Sequence, residues 1–233
     1  MTSEKLNKTF LNIGALNCHG LGDKVDLPEM ENLVSSFDIF GVNETWLNDD
    51  DEIEIPGYQY YPLNRKVEKG PHRGGLGLFI RNEMKENVKL RHDLSCETYF
   101  WCKLKKNCFG FSEDVFICIV YIPPETSTRE KKINLDHFLR LKETVSTIDS
   151  ENIILLGDFN ARTGNLDDVM LAEKHQDDPP FDFYSNIKTS RSNQDSKVNT
   201  HGKKLIEHCV ATRSYIANGR TLGDLQGKLT CHQ

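Results

Sequence analysis

Four short apolar runs punctuate the chain, and each ends in residues able to hold a metal or a phosphate. Residues 10–16 read as a strand closed by Asn17, Cys18, His19 and Gly20. Residues 37–42 are closed by Asn43, Glu44, Thr45, Trp46 and Leu47, and residues 115–120 by Tyr121, Ile122, Pro123 and Pro124. The run Ile153, Ile154, Leu155, Leu156 is bounded by Gly157 and followed by Asp158, Phe159 and Asn160, the pattern of a core strand. An Asp that closes such a strand cannot stay buried and charged alone, so a metal ion, an activated water or a cationic neighbour is implied. The competing reading is a strand followed by a turn, because Asp and Asn are both favoured turn formers.

Helical spacing appears between these runs. Residues 28–36 begin with Pro28 at a first-turn position and put Met30, Leu33 and Val34 on one face. Ile133, Leu135, Phe138, Leu139, Leu141 and Val145 predict a longer helix, and Leu205, Ile206, Cys209 and Val210 a third. Asn199, three residues before Gly202, suits an N-terminal cap of that helix. The Asp-rich residues 48–54 and the polar residues 172–196 read as loops, the second long enough to carry function. Alternating strands and helices make this an α/β chain.

Four strands thus end in Asn17, Glu44, Tyr121, and Asp158 with Asn160. A hard divalent cation prefers oxygen ligands, usually one or two carboxylates plus substrate phosphate oxygens, which makes Glu44 a suitable anchor. Asn and Tyr add neutral donors without adding repulsion. The set Asn17-Cys18-His19-Gly20, Asn43-Glu44-Thr45-Trp46-Leu47, Tyr121-Ile122-Pro123-Pro124 and Gly157-Asp158-Phe159-Asn160, in this order and spacing, resembles the endonuclease/exonuclease/phosphatase superfamily. The Glu-Thr-Trp-Leu form of the glutamate motif, the stretch from Asp158 through Ala161, Arg162 and Thr163 to Gly164, and the stretch from Asn218 to Asp224 are similar to the endonuclease domains of LINE-type non-LTR retrotransposons. The likeness runs from about Leu11 to Cys231.

The resemblance implies a two-sheet α/β sandwich flanked by helices, lacking its last strands. Family members continue past a strand corresponding to Leu229 and Thr230 into an Asp-Tyr segment and a closing Ser-Asp-His motif, which supplies a catalytic His and a second Asp. Here the sequence reads Cys231, His232 and Gln233, and the strand of residues 11–16 is expected beside an unpaired edge. The implied activity is a Mg2+-dependent phosphodiesterase, with Mn2+ as a substitute, that nicks DNA by water attack and is impaired without the closing segment. In that reading Glu44 and Asp158 hold the metal, Asp158 also directs the water, and Asn17, Tyr121 and Asn160 bind the phosphate. Two alternatives stand beside it: a non-catalytic remnant with residual metal or nucleic-acid binding, and a superfamily member acting on another phosphoester. The implied partner is DNA, met by a monomer or by part of a polyprotein that includes a reverse transcriptase.

Composition narrows the surroundings of this site. At 233 residues and 26.7 kDa, the chain reads as a short disordered tail, 1–9, and one domain, 10–233. No apolar run approaches the roughly 20 residues of a membrane helix, and the start has no signal-peptide core, so an intracellular location is expected. A net charge of -6 leaves DNA contact to local basic patches. Candidates are Lys66, Lys69, His72 and Arg73, then Arg162, and Lys188 with Arg191; Arg162 and Arg73 are the phosphate candidates carried forward. Seven cysteines without a C-x2-C pair read as structural thiols of a reducing compartment. A hard cation does not recruit a soft thiolate, so Cys18 is assigned to packing. His19 is expected to be a structural loop residue. Trp46 is expected either to stack on a base or to pack behind the metal ligand.

Overall fold

A computed structural model describes residues 10–66, 73–127, 135–168 and 191–230. The expected tail, Ile133, Lys69, His72, Lys188, most of the loop at 172–196, and His232 lie outside the described residues. Two compact units emerge, one from residues 1–123 with 149–159, the other from 124–148 with 160–233.

Among the described residues the first unit holds eight strands: β1 (Ile13–Asn17), β2 (Ile39–Asn43), β3 (Tyr58–Leu63), β4 (Leu76–Arg81), β5 (Val88–Leu90), β6 (Tyr99–Leu104), β7 (Val115–Tyr121) and β8 (Ile153–Asp158). They form two mixed four-stranded sheets, in the orders β1-β2-β4-β3 and β5-β6-β7-β8. The four strands expected from the apolar runs are β1, β2, β7 and β8. The strand expected at Leu229 and Thr230 does not form; those residues carry no regular structure.

Pleating explains how the sheets meet. Side chains along a strand alternate between faces. Ile39 of β2, Leu76, Leu78 and Ile80 of β4, and Val115, Ile117 and Ile119 of β7 therefore share one interior between the sheets, joined by Phe100 and Leu104. The opposite phase of the first sheet, Phe40, Val42 and Phe79, faces outward against Leu21, Met30 and Val34. Those residues belong to the segment carrying α1 (Gly22–Val25) and α2 (Pro28–Ser35). Pro28 opens α2 as expected, but Leu33 is exposed, so the buried stripe of this helix is Met30 and Val34 alone. Gly41 of β2 points inward, and a Cβ there would lie 2.3 Å from the Ile119 side chain. The absence of a side chain at Gly41 sets the spacing of the sheets.

The second unit contains α3 (His137–Ser146) and α4 (Thr200–Thr212). The helix expected from Ile133 begins at His137, because Asp136 caps it by accepting from the backbone of Phe138 and Leu139 at 3.1 and 3.2 Å. Phe138 and Leu141 are buried while Leu135 and Leu139 are exposed. Cys209 of α4 is buried too. Lys204 of α4 donates to Asp136 at 2.8 Å. No described helix is long and apolar enough to cross a membrane.

Replacing Gly41 by Ala should destabilise the first unit by about 1–3 kcal/mol through overpacking against Ile119. Gly41→Ala combined with Ile119→Val should recover part of that loss in urea denaturation. Strict additivity of the two changes would show that the residues do not meet.

Candidate active site

Strand register brings the polar strand ends into rows. Asn17 of β1 stands opposite Asn43 of β2, and Tyr121 of β7 opposite Asp158 of β8. Asn17 and Asn43 continue the inward phase of their strands, and Tyr121 follows Val115, Ile117 and Ile119. The apolar interior of the sandwich thus ends in a polar floor. Asn43 spans the sheets there, donating from Nδ2 to the Val120 carbonyl at 2.6 Å.

Asn17 joins the two acidic candidates. Its Nδ2 donates to Glu44 Oε1 at 2.8 Å and to Asp158 Oδ2 at 2.9 Å. The backbone N–H of His19 donates to Asn17 Oδ1 at 3.2 Å. A backbone N–H can only donate, so this bond fixes which end of the amide faces the carboxylates. Tyr121 completes the cluster, with Glu44 within hydrogen-bonding reach of its hydroxyl. Burial, reinforced by the charges of Glu44 and Asp158, holds the phenol well above its ordinary range, so Tyr121 is a neutral donor.

Glu44 is aimed by a strained backbone. His19, Glu44 and Trp46 adopt positive φ angles of 46°, 53° and 57°, a region in which L-residues with side chains are uncommon. Neighbouring backbone holds them there: Gly20 donates to the Glu44 carbonyl at 2.8 Å, Leu21 to that of Thr45 at 2.9 Å, and Trp46 to that of Gly74 at 3.0 Å. A Cβ on Gly75 would meet Thr45 Oγ1 at 2.4 Å, so this close approach requires glycine.

His19 lies nearer the cluster than expected, with Nδ1 3.4 Å from Glu44 Oε2 and its ring 4.2 Å from that of Trp46. The Arg73 guanidinium lies over the Trp46 ring, 6.0 Å from its centroid. Cys18 donates its thiol to the Asn43 carbonyl at 3.0 Å, and burial pushes it up to about 12. Arg65, two residues beyond β3, also lies near these groups without a local signal in the sequence. Its Nε lies 3.7 Å from Glu97, and its charge reaches Tyr121.

Asn160 and Arg162 belong to the second unit, where Asn199 organises them. Asn199 donates from Nδ2 to the Asn160 carbonyl at 2.9 Å and accepts at Oδ1 from the backbone of Arg162 and of Gly202, both at 2.8 Å. The expected cap of α4 is thus also a clamp on the loop after Asp158. The Arg162 guanidinium forms a two-pronged pair with Asp195 at 2.7 and 2.8 Å.

Residues 11–212 match the model of the Endonuclease/Exonuclease/phosphatase family. The chain belongs to this family. Its fold is shared with the endonuclease domain of TRAS1, a telomere-specific non-LTR retrotransposon, at a TM-score of 0.50 and 10% identity over 85% of this chain and 70% of that one. Similar solved structures include the 3' phosphatase NExo from Neisseria bound to product DNA hairpin (TM-score 0.46, 19% identity, 68% of this chain and 61% of that one). An AP endonuclease from Archaeoglobus fulgidus is another (0.46, 16%, 68% and 60%). This chain therefore spans about 60–70% of the lengths of those three chains. No curated protein matches it.

For a family chain of this kind the donor set can be tested directly. Glu44 and Asp158 present two carboxylates tied to one amide, and the nearby thiol is turned to a carbonyl. Among the described residues no group of three or more His, Cys, Asp and Glu could hold a metal, so the protein offers two carboxylates. That fits Mg2+ or Mn2+, which retain water and take further oxygens from a phosphate, and it does not fit a closed zinc site.

Asn199→Ala should cost about 1–3 kcal/mol, the loss of a cap plus the loop bonds. Asn199→Asp, which keeps the acceptor, should retain most of the stability. Equal thermal midpoints for Asn199→Ala and the parent protein would contradict the clamp.

Proposed function

We propose that this protein is a Mg2+-dependent phosphodiesterase that cleaves DNA by water attack, an endonuclease of the retrotransposon type. The observation that carries this reading is the Asn17 amide, at the end of β1, bonded to both Glu44 and Asp158, which commits the carboxylates that follow β2 and end β8 to one point. Mn2+ would serve in place of Mg2+. A divalent ion held there supplies Lewis acidity to a phosphoryl oxygen and offsets the charge that builds in the transition state.

The chain's own groups divide the remaining work. Glu44 and Asp158 hold the ion, and Asp158 orients and accepts a proton from the attacking water. Tyr121, kept protonated by burial and by Glu44, donates a hydrogen bond to a phosphate oxygen. Asn17 keeps the carboxylates together, with both hydrogens of its amide engaged by them. Asn160, whose carbonyl Asn199 holds, is assigned a further hydrogen bond to the phosphate. Arg73 and Trp46 offer the nucleic acid a cation and an aromatic face. Arg162 would contribute alongside its pair with Asp195.

DNA as partner is supported by the Glu-Thr-Trp-Leu form of the glutamate motif and by the shared fold with a retrotransposon endonuclease domain. An acidic chain with a net charge of -6 must draw a polyanion in through the ion and a few local cations.

Plasmid nicking should require Mg2+ or Mn2+ and fall by at least about 100-fold in both Glu44→Gln and Asp158→Asn. Nicking in excess chelator, or full activity in either variant, would refute the assignment.

A further inference from the structure

The strand directions bring a further residue, Arg65, to this edge. β2 and β3 each run antiparallel to β4, so β3 ends where β1 and β2 end. Two residues later comes Arg65, as Asn17 and Glu44 come at the ends of β1 and β2. Its side chain packs along the backbone at Gly74, where an added Cβ would lie 3.1 Å from Cδ and Nη1. On the other side Glu97 precedes Thr98, whose carbonyl accepts the Tyr121 backbone N–H at 2.9 Å. Arg65 is therefore set between the glycine pair that supports Thr45 and the strand end that carries Tyr121.

Its present contacts are poor ones for a guanidinium. Among the described residues Nε is buried without a hydrogen-bond partner, and the nearest carboxylate, that of Glu97, is 3.7 Å away. Nη1 donates to the Arg73 carbonyl at 3.5 Å, the outer limit of a hydrogen bond. The side chain is only 18% exposed, so it has lost water without gaining strong bonds in return. Glu97 is 53% exposed, so solvent screens its attraction for the guanidinium. The edge itself needs a cation. Two carboxylates balance one divalent ion, leaving the phosphodiester charge and its increase during cleavage unmatched. Arginine suits that need, because its planar fork meets two phosphate oxygens at once.

The geometry points to Arg65 as a phosphate-binding residue of this site, its guanidinium taking the non-bridging oxygens of the substrate phosphodiester while Glu97 serves as the partner it leaves. This rests on the phosphodiesterase reading of Glu44 and Asp158. It goes further in assigning the cation that receives the anionic substrate and the carboxylate that competes for it.

Binding of a short fluorescein-labelled DNA duplex, read by anisotropy with Ca2+ replacing Mg2+, tests the proposal without turnover. Arg65→Gln should weaken binding by about 10- to 100-fold and make the fall of log K with log salt shallower by about 0.9. Arg65→Lys should keep the salt slope and lose part of the affinity. Glu97→Gln should bind several-fold more tightly than the parent protein. Unchanged affinity and slope in Arg65→Gln would overturn the proposal. So would weaker binding in Glu97→Gln, the result expected if the pair were only a structural latch, or no binding of the duplex by the parent protein. The underlying reading fails separately, by nicking that needs no divalent ion or survives in Asp158→Asn.

Discussion

The period-two pleat of the strands is the constraint on which the site depends. Each strand that ends at the site continues its inward phase by one polar position, so Asn17, Asn43 and Tyr121 stand where the next core side chain would have been. A slip of one residue in either parallel pair would turn those groups to the opposite face. The same packing that buries Ile39, Leu78, Ile117 and Ile119 therefore fixes the position of the chemistry. Gly41 adds a distance to this direction, since its missing side chain lets the sheets approach at Ile119.

Two like charges brought together by such a scaffold need a shared counterpart. Asn17 provides it as a neutral donor, bonded to both carboxylates and oriented by the His19 backbone. A cation in place of this amide would neutralise the pair and weaken its hold on a metal. An apolar residue would leave the carboxylates to repel each other. The left-handed conformations of His19, Glu44 and Trp46 belong to the same economy of placement: local backbone strain, held by bonds to Gly20, Leu21 and Gly74, turns Glu44 toward Asn17 instead of into the outer layer.

The sequence made the ends of β1, β2, β7 and β8 visible, because a polar residue directly after an apolar run is a local signal. It left β3, β4 and β5 unmarked. Pro62 interrupts β3, Gly77 breaks β4, and β5 is only three residues long. Without β3 nothing marks Arg65 as following a strand that ends at the same edge, and Lys66 beside it is the residue that the loop pattern offers. Asn199 was legible as a helix cap, whereas its grip on Asn160 and Arg162 depends on a contact across some 40 residues of sequence that spacing does not encode. The position of His19 beside Glu44 follows from a left-handed turn that composition does not reveal.

Manganese diffraction addresses the central claim most directly. Crystals of the protein soaked in Mn2+ should show one anomalous peak within about 2.5 Å of a carboxylate oxygen of both Glu44 and Asp158. That peak should vanish in Glu44→Gln combined with Asp158→Asn. A peak bound by only one of these carboxylates, or Mn2+ bound elsewhere while the pair stays joined through Asn17 alone, would contradict the account.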